Sequence, residues 1–80
     1  MKTNTAPTET LDARGLLCPM PVIKTQNKIK TMAKGTTLLV TATDPGVKQD
    51  IPSWCRINGH EVLDISENQL DILISIKVCV

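Results

Sequence analysis

The chain has 80 residues, enough for one small domain with a single core and too few for two. Its net charge is only +1, yet residues 13–43 carry five basic and no acidic side chains. The three cysteines include no CxxC pair, which argues against a disulfide framework and predicts free thiols in a reducing compartment. The sequence shows no signal-peptide segment and no apolar run long enough to cross a bilayer, so we expect a cytoplasmic protein without membrane contact.

The N-terminal residues 1–9 are rich in threonine and poor in apolar side chains, which predicts a disordered tail. We expect a single domain over residues 10–80. It begins with a short edge strand over residues 10–13.

A first helix is predicted over residues 19–33. Pro19 suits the first helical position because its missing N–H has no intrahelical acceptor there, and Gly35 suits a helix end. The expected apolar stripe contains Val22, Ile29 and Ala33.

The second half predicts one strand, a helix and a two-stranded hairpin. The β-branched run at residues 36–43 indicates a strand, and "DPG" at residues 44–46 indicates a turn. A second helix is expected from near Asp50, as N-cap with Pro52 in the first turn, or from two or three residues earlier, to Asn58. Two further strands are expected over residues 60–66 and 70–78, joined by a turn at residues 67–69.

These elements follow the order βαβαββ. The simplest arrangement is an α/β (α+β) two-layer sandwich, in which two helices pack on one face of a four-stranded mixed sheet. The last strand alternates apolar and polar residues, so one of its faces is expected in the core. The apolar positions are Leu70, Ile72, Ile74, Ile76 and Val78. We also expect Trp54 and Cys55 in the core.

Cys18 is the main candidate for chemistry, because it lies between a predicted strand and a predicted helix. At the N-cap, helix amides and the helix dipole would favour a thiolate, and Arg14 would add to this effect. Pro19 and Pro21 remove two N–H donors and fix the backbone around the sulfur. The alternative is a small, buried and inert cysteine.

Other uses of the cysteines are less well supported. A Cys-His hydrolase would need His60 as base, and a lone histidine is more often a surface or strand-end residue. A structural zinc site usually takes ligand pairs at short spacing, whereas the candidate positions are 18, 55, 60 and 79, so no metal is expected.

Two motifs connect the chain to a known family. "LDARGLLCPMP" from residue 11 and "TATDPGVKQDIPSWCRINGH" from residue 41 resemble the TusA (SirA-like) sulfur-carrier family, whose hallmark is a CPxP motif at the first helix. The resemblance implies the βαβαββ fold, no cofactor, and sulfane sulfur carried as a persulfide on Cys18. It also implies a sulfurtransferase that acts only with partner proteins.

The same resemblance implies the kinds of partner. The donor would be a cysteine desulfurase or a rhodanese, and the acceptor a protein of TusD/DsrE type. The pathway would be 2-thiouridine synthesis in tRNA, sulfur oxidation or molybdenum cofactor synthesis. Lys24 and Lys28 lie on one face of the predicted helix and could dock an acidic partner, although exposed lysines are usually only solvated.

Two rival functions remain open from the sequence. A basic helix on a small sheet could bind RNA, but the chain has no Phe or Tyr for base stacking, so no direct nucleic-acid contact is expected. A thiol redox protein could instead pair Cys18 with Cys55.

Overall fold

A computed structural model describes residues 7–80 and contains six elements in the predicted order. They are β1 (Glu9–Ala13), α1 (Met20–Ile29), β2 (Thr37–Ala42), α2 (Val47–Asn58), β3 (Glu61–Asn68) and β4 (Asp71–Lys77). Most of the predicted tail, residues 1–6, lies outside the described residues. Glu9, which we assigned to that tail, is the first residue of β1.

The four strands form one mixed sheet in the order β1-β2-β4-β3. β1 pairs parallel to β2, with Ala13 opposite Ala42, while β2 and β3 both pair antiparallel to β4. Because β1 and β2 run in the same direction, their carboxyl ends lie side by side. The connections that follow these two strands therefore start at the same edge of the sheet.

One face of the sheet packs against both helices, which confirms the predicted two-layer sandwich. Alternate residues of β2 and β4 point into the core, as the period of a strand requires. They pack against the residues that α1 and α2 bury at intervals of four. The strand residues of this core are Leu38, Val40, Ala42, Ile72, Ile74 and Ile76, and the helix residues include Ile29, Val47, Ile51 and Cys55.

The first helix is shorter than predicted at both ends. It begins at Met20 because Pro19 takes the N-cap position. It ends at Ile29 because the N–H and the hydroxyl of Thr31 both donate to the Lys28 carbonyl, at 3.0 and 2.7 Å, which tightens the last turn. The buried stripe is Pro21, Thr25 and Ile29, and the predicted stripe member Ala33 is exposed beyond the helix.

The second helix begins at Val47, three residues before Asp50, within the range that the sequence left open. Gly46 is its N-cap, so Asp50 lies in the first turn and Pro52 lies inside the helix. The N–H groups of Val47 to Gln49 donate to the carbonyls three residues earlier, so the turn at Asp44 continues directly into the helix. The helix ends at Asn58, with Gly59 left-handed at φ 83°, as predicted.

The hairpin is tighter than predicted. Asn68 pairs with Asp71, so the turn consists of Gln69 and Leu70 rather than residues 67–69. Leu70, predicted as a core residue of the last strand, lies at this turn and is 83% exposed.

Candidate functional site

The candidate site lies where β1 and β2 end beside each other. Cys18 is exposed in the connection from β1 to α1. Gly15 turns this connection with φ 79°, and its N–H donates to the Thr43 hydroxyl at 2.9 Å. The contact ties the connection after β1 to the connection after β2.

Asp44 binds the backbone of Cys18 from this second connection. One of its carboxylate oxygens accepts the Gly46 N–H at 3.1 Å, and the other accepts the Cys18 N–H at 3.0 Å. The first contact shapes the turn before α2, as predicted from "DPG". The second, between residues 26 apart in sequence, fixes the backbone position of the cysteine.

Asp50 contacts the sulfur itself. Its side chain reaches from the first turn of α2, and the Cys18 thiol donates to Asp50 Oδ2 at 3.4 Å. The hydrogen bond to Asp50 raises the pKa of Cys18, with further contributions from partial desolvation and from the charges of Asp50 and Asp44. Cys18 in the free protein is therefore a thiol at neutral pH.

Two sequence predictions about Cys18 are thus wrong. Pro19, not Cys18, is the N-cap of α1, so the helix start does not hold the sulfur as we expected. The predicted thiolate is also not favoured, because the charges that act on the thiol are two carboxylates. Both carboxylates are distant in sequence and are brought to Cys18 by the parallel pairing of β1 and β2.

Arg14 is engaged elsewhere. Its Nε donates to Asp12 Oδ1 at 2.9 Å, and its Nη2 donates to Asp12 Oδ2 at 3.2 Å. This bidentate pair lowers the pKa of Asp12 to about 2. Arg14 thus neutralises Asp12 and does not contribute to the pKa of Cys18.

The predicted docking lysines both contact β1. Lys24 Nζ donates to the Asp12 carbonyl at 3.1 Å, and Lys28 forms an ion pair with Glu9.

Sequence reasoning missed the exposed apolar side chains near Cys18. They are Leu17, Met20 and Ile23, exposed by 73%, 46% and 40%. The spacing of Met20 and Ile23 on one helix face would have been the signal for them.

The other cysteines and His60 form a separate group. Cys55 is buried as predicted, and burial raises its pKa to about 11. His60 stacks on Trp54 with ring centroids 5.4 Å apart, and its Nδ1 accepts the N–H of Cys79 at 3.2 Å. Trp54, predicted as core, is only partly buried and donates to Gln26 Oε1 at 3.2 Å. Within residues 7–80, no group of three or more His, Cys, Asp or Glu side chains is arranged to hold a metal ion.

Fold and site define a small two-layer α/β domain that displays an exposed cysteine between its first strand and its first helix. The family model described as Sulfurtransferase TusA matches residues 9–78. The chain therefore belongs to the TusA family, as its motifs indicated.

A solved structure shows the same fold. The crystal structure of the SirA-like protein from Desulfitobacterium hafniense matches with a TM-score of 0.80 at 20% sequence identity, and the match covers 91% of this chain and 100% of that one. At this identity the likeness concerns the fold alone.

No helix in the described part of the chain is long and apolar enough to span a membrane.

Proposed function

We propose that the protein is a sulfur carrier that accepts sulfane sulfur as a persulfide on Cys18 and passes it to a cysteine of an acceptor protein. Membership of the sulfurtransferase family assigns sulfur transfer in general, together with donor and acceptor proteins. The observation that carries the finer proposal is the exposed Cys18 thiol, which a partner's cysteine can reach directly. Pro19 and Pro21 follow it as the prolines of the CPxP motif.

The proposed reaction consists of two exchanges without net redox change. Cys18 attacks the outer sulfur of the donor's persulfide as it loses its proton, the donor's S–S bond breaks, and the donor sulfur leaves with the electron pair and is protonated by that proton. The acceptor's thiolate then attacks the outer sulfur on Cys18 and releases Cys18 in the same way. The sulfane sulfur keeps its oxidation state in both exchanges.

The donor we propose is a cysteine desulfurase or a rhodanese, and the acceptor is a protein of TusD/DsrE type. The product would serve tRNA thiolation, sulfur oxidation or molybdenum cofactor synthesis. The three free cysteines support a reducing, cytoplasmic location.

The contacts of two residues count against the rival functions. Trp54 is the only aromatic residue besides His60, and it is partly buried. Its ring stacks on His60 and its Nε1 donates to Gln26, so little of the ring face is exposed for stacking on a base. Cys55 is 1% exposed, so it is a poor partner for a disulfide with the exposed Cys18.

The test is intact mass spectrometry after incubation with a cysteine desulfurase and cysteine, or with a rhodanese and its sulfur donor. We expect the wild type to gain one sulfur atom that a reductant removes, because only an exposed thiol can exchange with the donor's persulfide. Cys18→Ser should remain unmodified, whereas the matched control Cys79→Ser should load normally. Loading of Cys18→Ser, or failure of the wild type with both donor classes, would contradict the proposal.

A further inference from the structure

Resting on the proposed function, we propose that Asp50 governs the reactivity of Cys18: its carboxylate holds the cysteine as a thiol in the free protein and receives the thiol proton when sulfur is transferred. Asp50 touches the reacting sulfur, so its role is catalytic. Asp44, which binds the backbone of the same residue, is a positioning residue.

The geometry fixes both partners of this contact. The Cys18 backbone is held by Asp44 at 3.0 Å, and the Asp50 backbone is held in the first helical turn by a 2.9 Å hydrogen bond from its N–H to the Gly46 carbonyl. A Cβ atom on Gly46 would lie 3.5 Å from both carboxylates, which shows that Asp44 and Asp50 flank this glycine. The 3.4 Å contact between Cys18 Sγ and Asp50 Oδ2 thus joins two anchored residues.

The charges that face Cys18 all have the same sign. They are Asp50 from α2 and Asp44 from the connection before α2, and both raise the pKa of the thiol. The nearest basic residue on the cysteine's own segment, Arg14, is paired with Asp12. Nothing among these groups offsets the two carboxylates, so removal of the Asp50 charge is expected to favour the thiolate.

The transfer step balances through Asp50. Cys18 Sγ forms a bond to the outer sulfur of the donor's persulfide as the donor's S–S bond breaks. The leaving sulfur takes the electron pair of that bond, and the Cys18 proton passes through the Asp50 carboxylate to the leaving thiolate. The reaction needs no external oxidant or reductant.

This arrangement suits a carrier with an exposed sulfur. A thiol reacts slowly with oxidants and disulfides, because the thiolate is the nucleophile. A cysteine of high pKa is also a slow leaving group, so its persulfide is discharged slowly to a chance thiol. Asp50 thereby protects both the empty and the loaded carrier until a partner binds.

The experiment measures iodoacetamide alkylation of Cys18 from pH 6 to 10 by intact mass, in a Cys79→Ser background. Asp50→Asn is compared with Asp64→Asn, which removes an exposed carboxylate of β3 and serves as the matched control. We expect Asp50→Asn to move the midpoint of the pH–rate profile to lower pH and to raise the alkylation rate at pH 7.5 severalfold, because the thiolate is the species that is alkylated and its fraction rises when the pKa falls. Asp50→Ser is expected to act in the same direction if Asp50→Asn folds poorly.

The proposal is overturned if the profile of Asp50→Asn coincides with that of Asp64→Asn, or if alkylation becomes slower. Alkylation needs no donor protein, so its outcome is independent of the carrier role. Sulfur loading without a shifted profile would defeat only the role of Asp50. A shifted profile without loading by any donor would support the control of Cys18 protonation by Asp50, and it would defeat both the proposed function and the part of Asp50 in sulfur transfer.

Discussion

Two carboxylates set the environment of Cys18, and they act on different atoms. Asp44 accepts the backbone N–H and so determines where the residue lies, while Asp50 accepts the thiol hydrogen and so determines its protonation. A change at Asp44 removes the backbone hydrogen bond and one of the two charges that raise the pKa of Cys18, whereas a change at Asp50 removes the hydrogen bond to the sulfur. At the residue scale, the position of Cys18 therefore depends on Asp44, and the pKa of its thiol depends mainly on Asp50.

Thr25 is a buried residue whose hydroxyl has no hydrogen-bond partner among the described residues. Burial of an unpaired hydroxyl costs free energy, and valine has the same shape without the polar group. We expect Thr25→Val to increase the free energy of unfolding by about 1 kcal/mol. Urea unfolding followed by Trp54 fluorescence measures this, with Thr31→Val as the control at an exposed threonine whose hydroxyl is bonded. A loss of stability in Thr25→Val would show that the hydroxyl has a partner in solution.

At the scale of elements, α1 connects Cys18 to a face that we propose as a docking surface. Met20, Ile23 and Lys24 lie on neighbouring positions of one helix face, which begins two residues after Cys18. We expect a partner whose cysteine reaches Cys18 to contact the first turn of this helix. The apolar side chains would supply buried area, and the lysines would speed the encounter with an acidic surface.

Removal of charge from α1 tests whether Lys24 and Lys28 dock an acidic partner. We expect the double variant Lys24→Gln/Lys28→Gln to slow sulfur loading by a desulfurase about two- to fivefold at low salt, and to weaken the salt dependence of the rate. Lys34→Gln is the matched control, because Lys34 is exposed and lies after the end of α1. The surface is not used for docking if the double variant and Lys34→Gln load at equal rates across the salt series.

At the scale of the whole molecule, the sequence predicts the fold better than the site. The order of elements follows from local patterns such as the alternation in β4 and the glycine after α2, and the CPxP motif predicts Cys18 as the site residue. The protonation of Cys18 depends on Asp50, 32 residues away, and only the packing of α2 at the edge of the sheet brings that carboxylate to the thiol. The sequence likewise did not predict where α1 ends, because the Thr31 hydroxyl competes for the Lys28 carbonyl there.

Cys55 links the stability of the entire fold to alkaline pH. Its pKa is about 11 in the folded protein, since burial in the core disfavours the thiolate, against an ordinary value of 9.0 that we take for the unfolded chain. Because the folded state retains the proton in this window, the stabilisation is complete below the unfolded pKa and is lost as pH rises through the folded pKa. We expect the wild type to lose about 2 kcal/mol between pH 7.5 and 10.5 through this thiol.

The free energy of unfolding is measured by urea unfolding with reductant at these two pH values. The loss between pH 7.5 and 10.5 is then compared between the wild type and Cys55→Ala. The alanine variant is expected to be less stable at pH 7.5, because it loses packing in the core, but to lose less stability on going to pH 10.5. Titration of the lysines affects both proteins and cancels in the comparison. Equal alkaline losses in the two proteins would mean that Cys55 ionises in the folded state as readily as in the unfolded chain, which a thiol sealed between α2 and the sheet does not do.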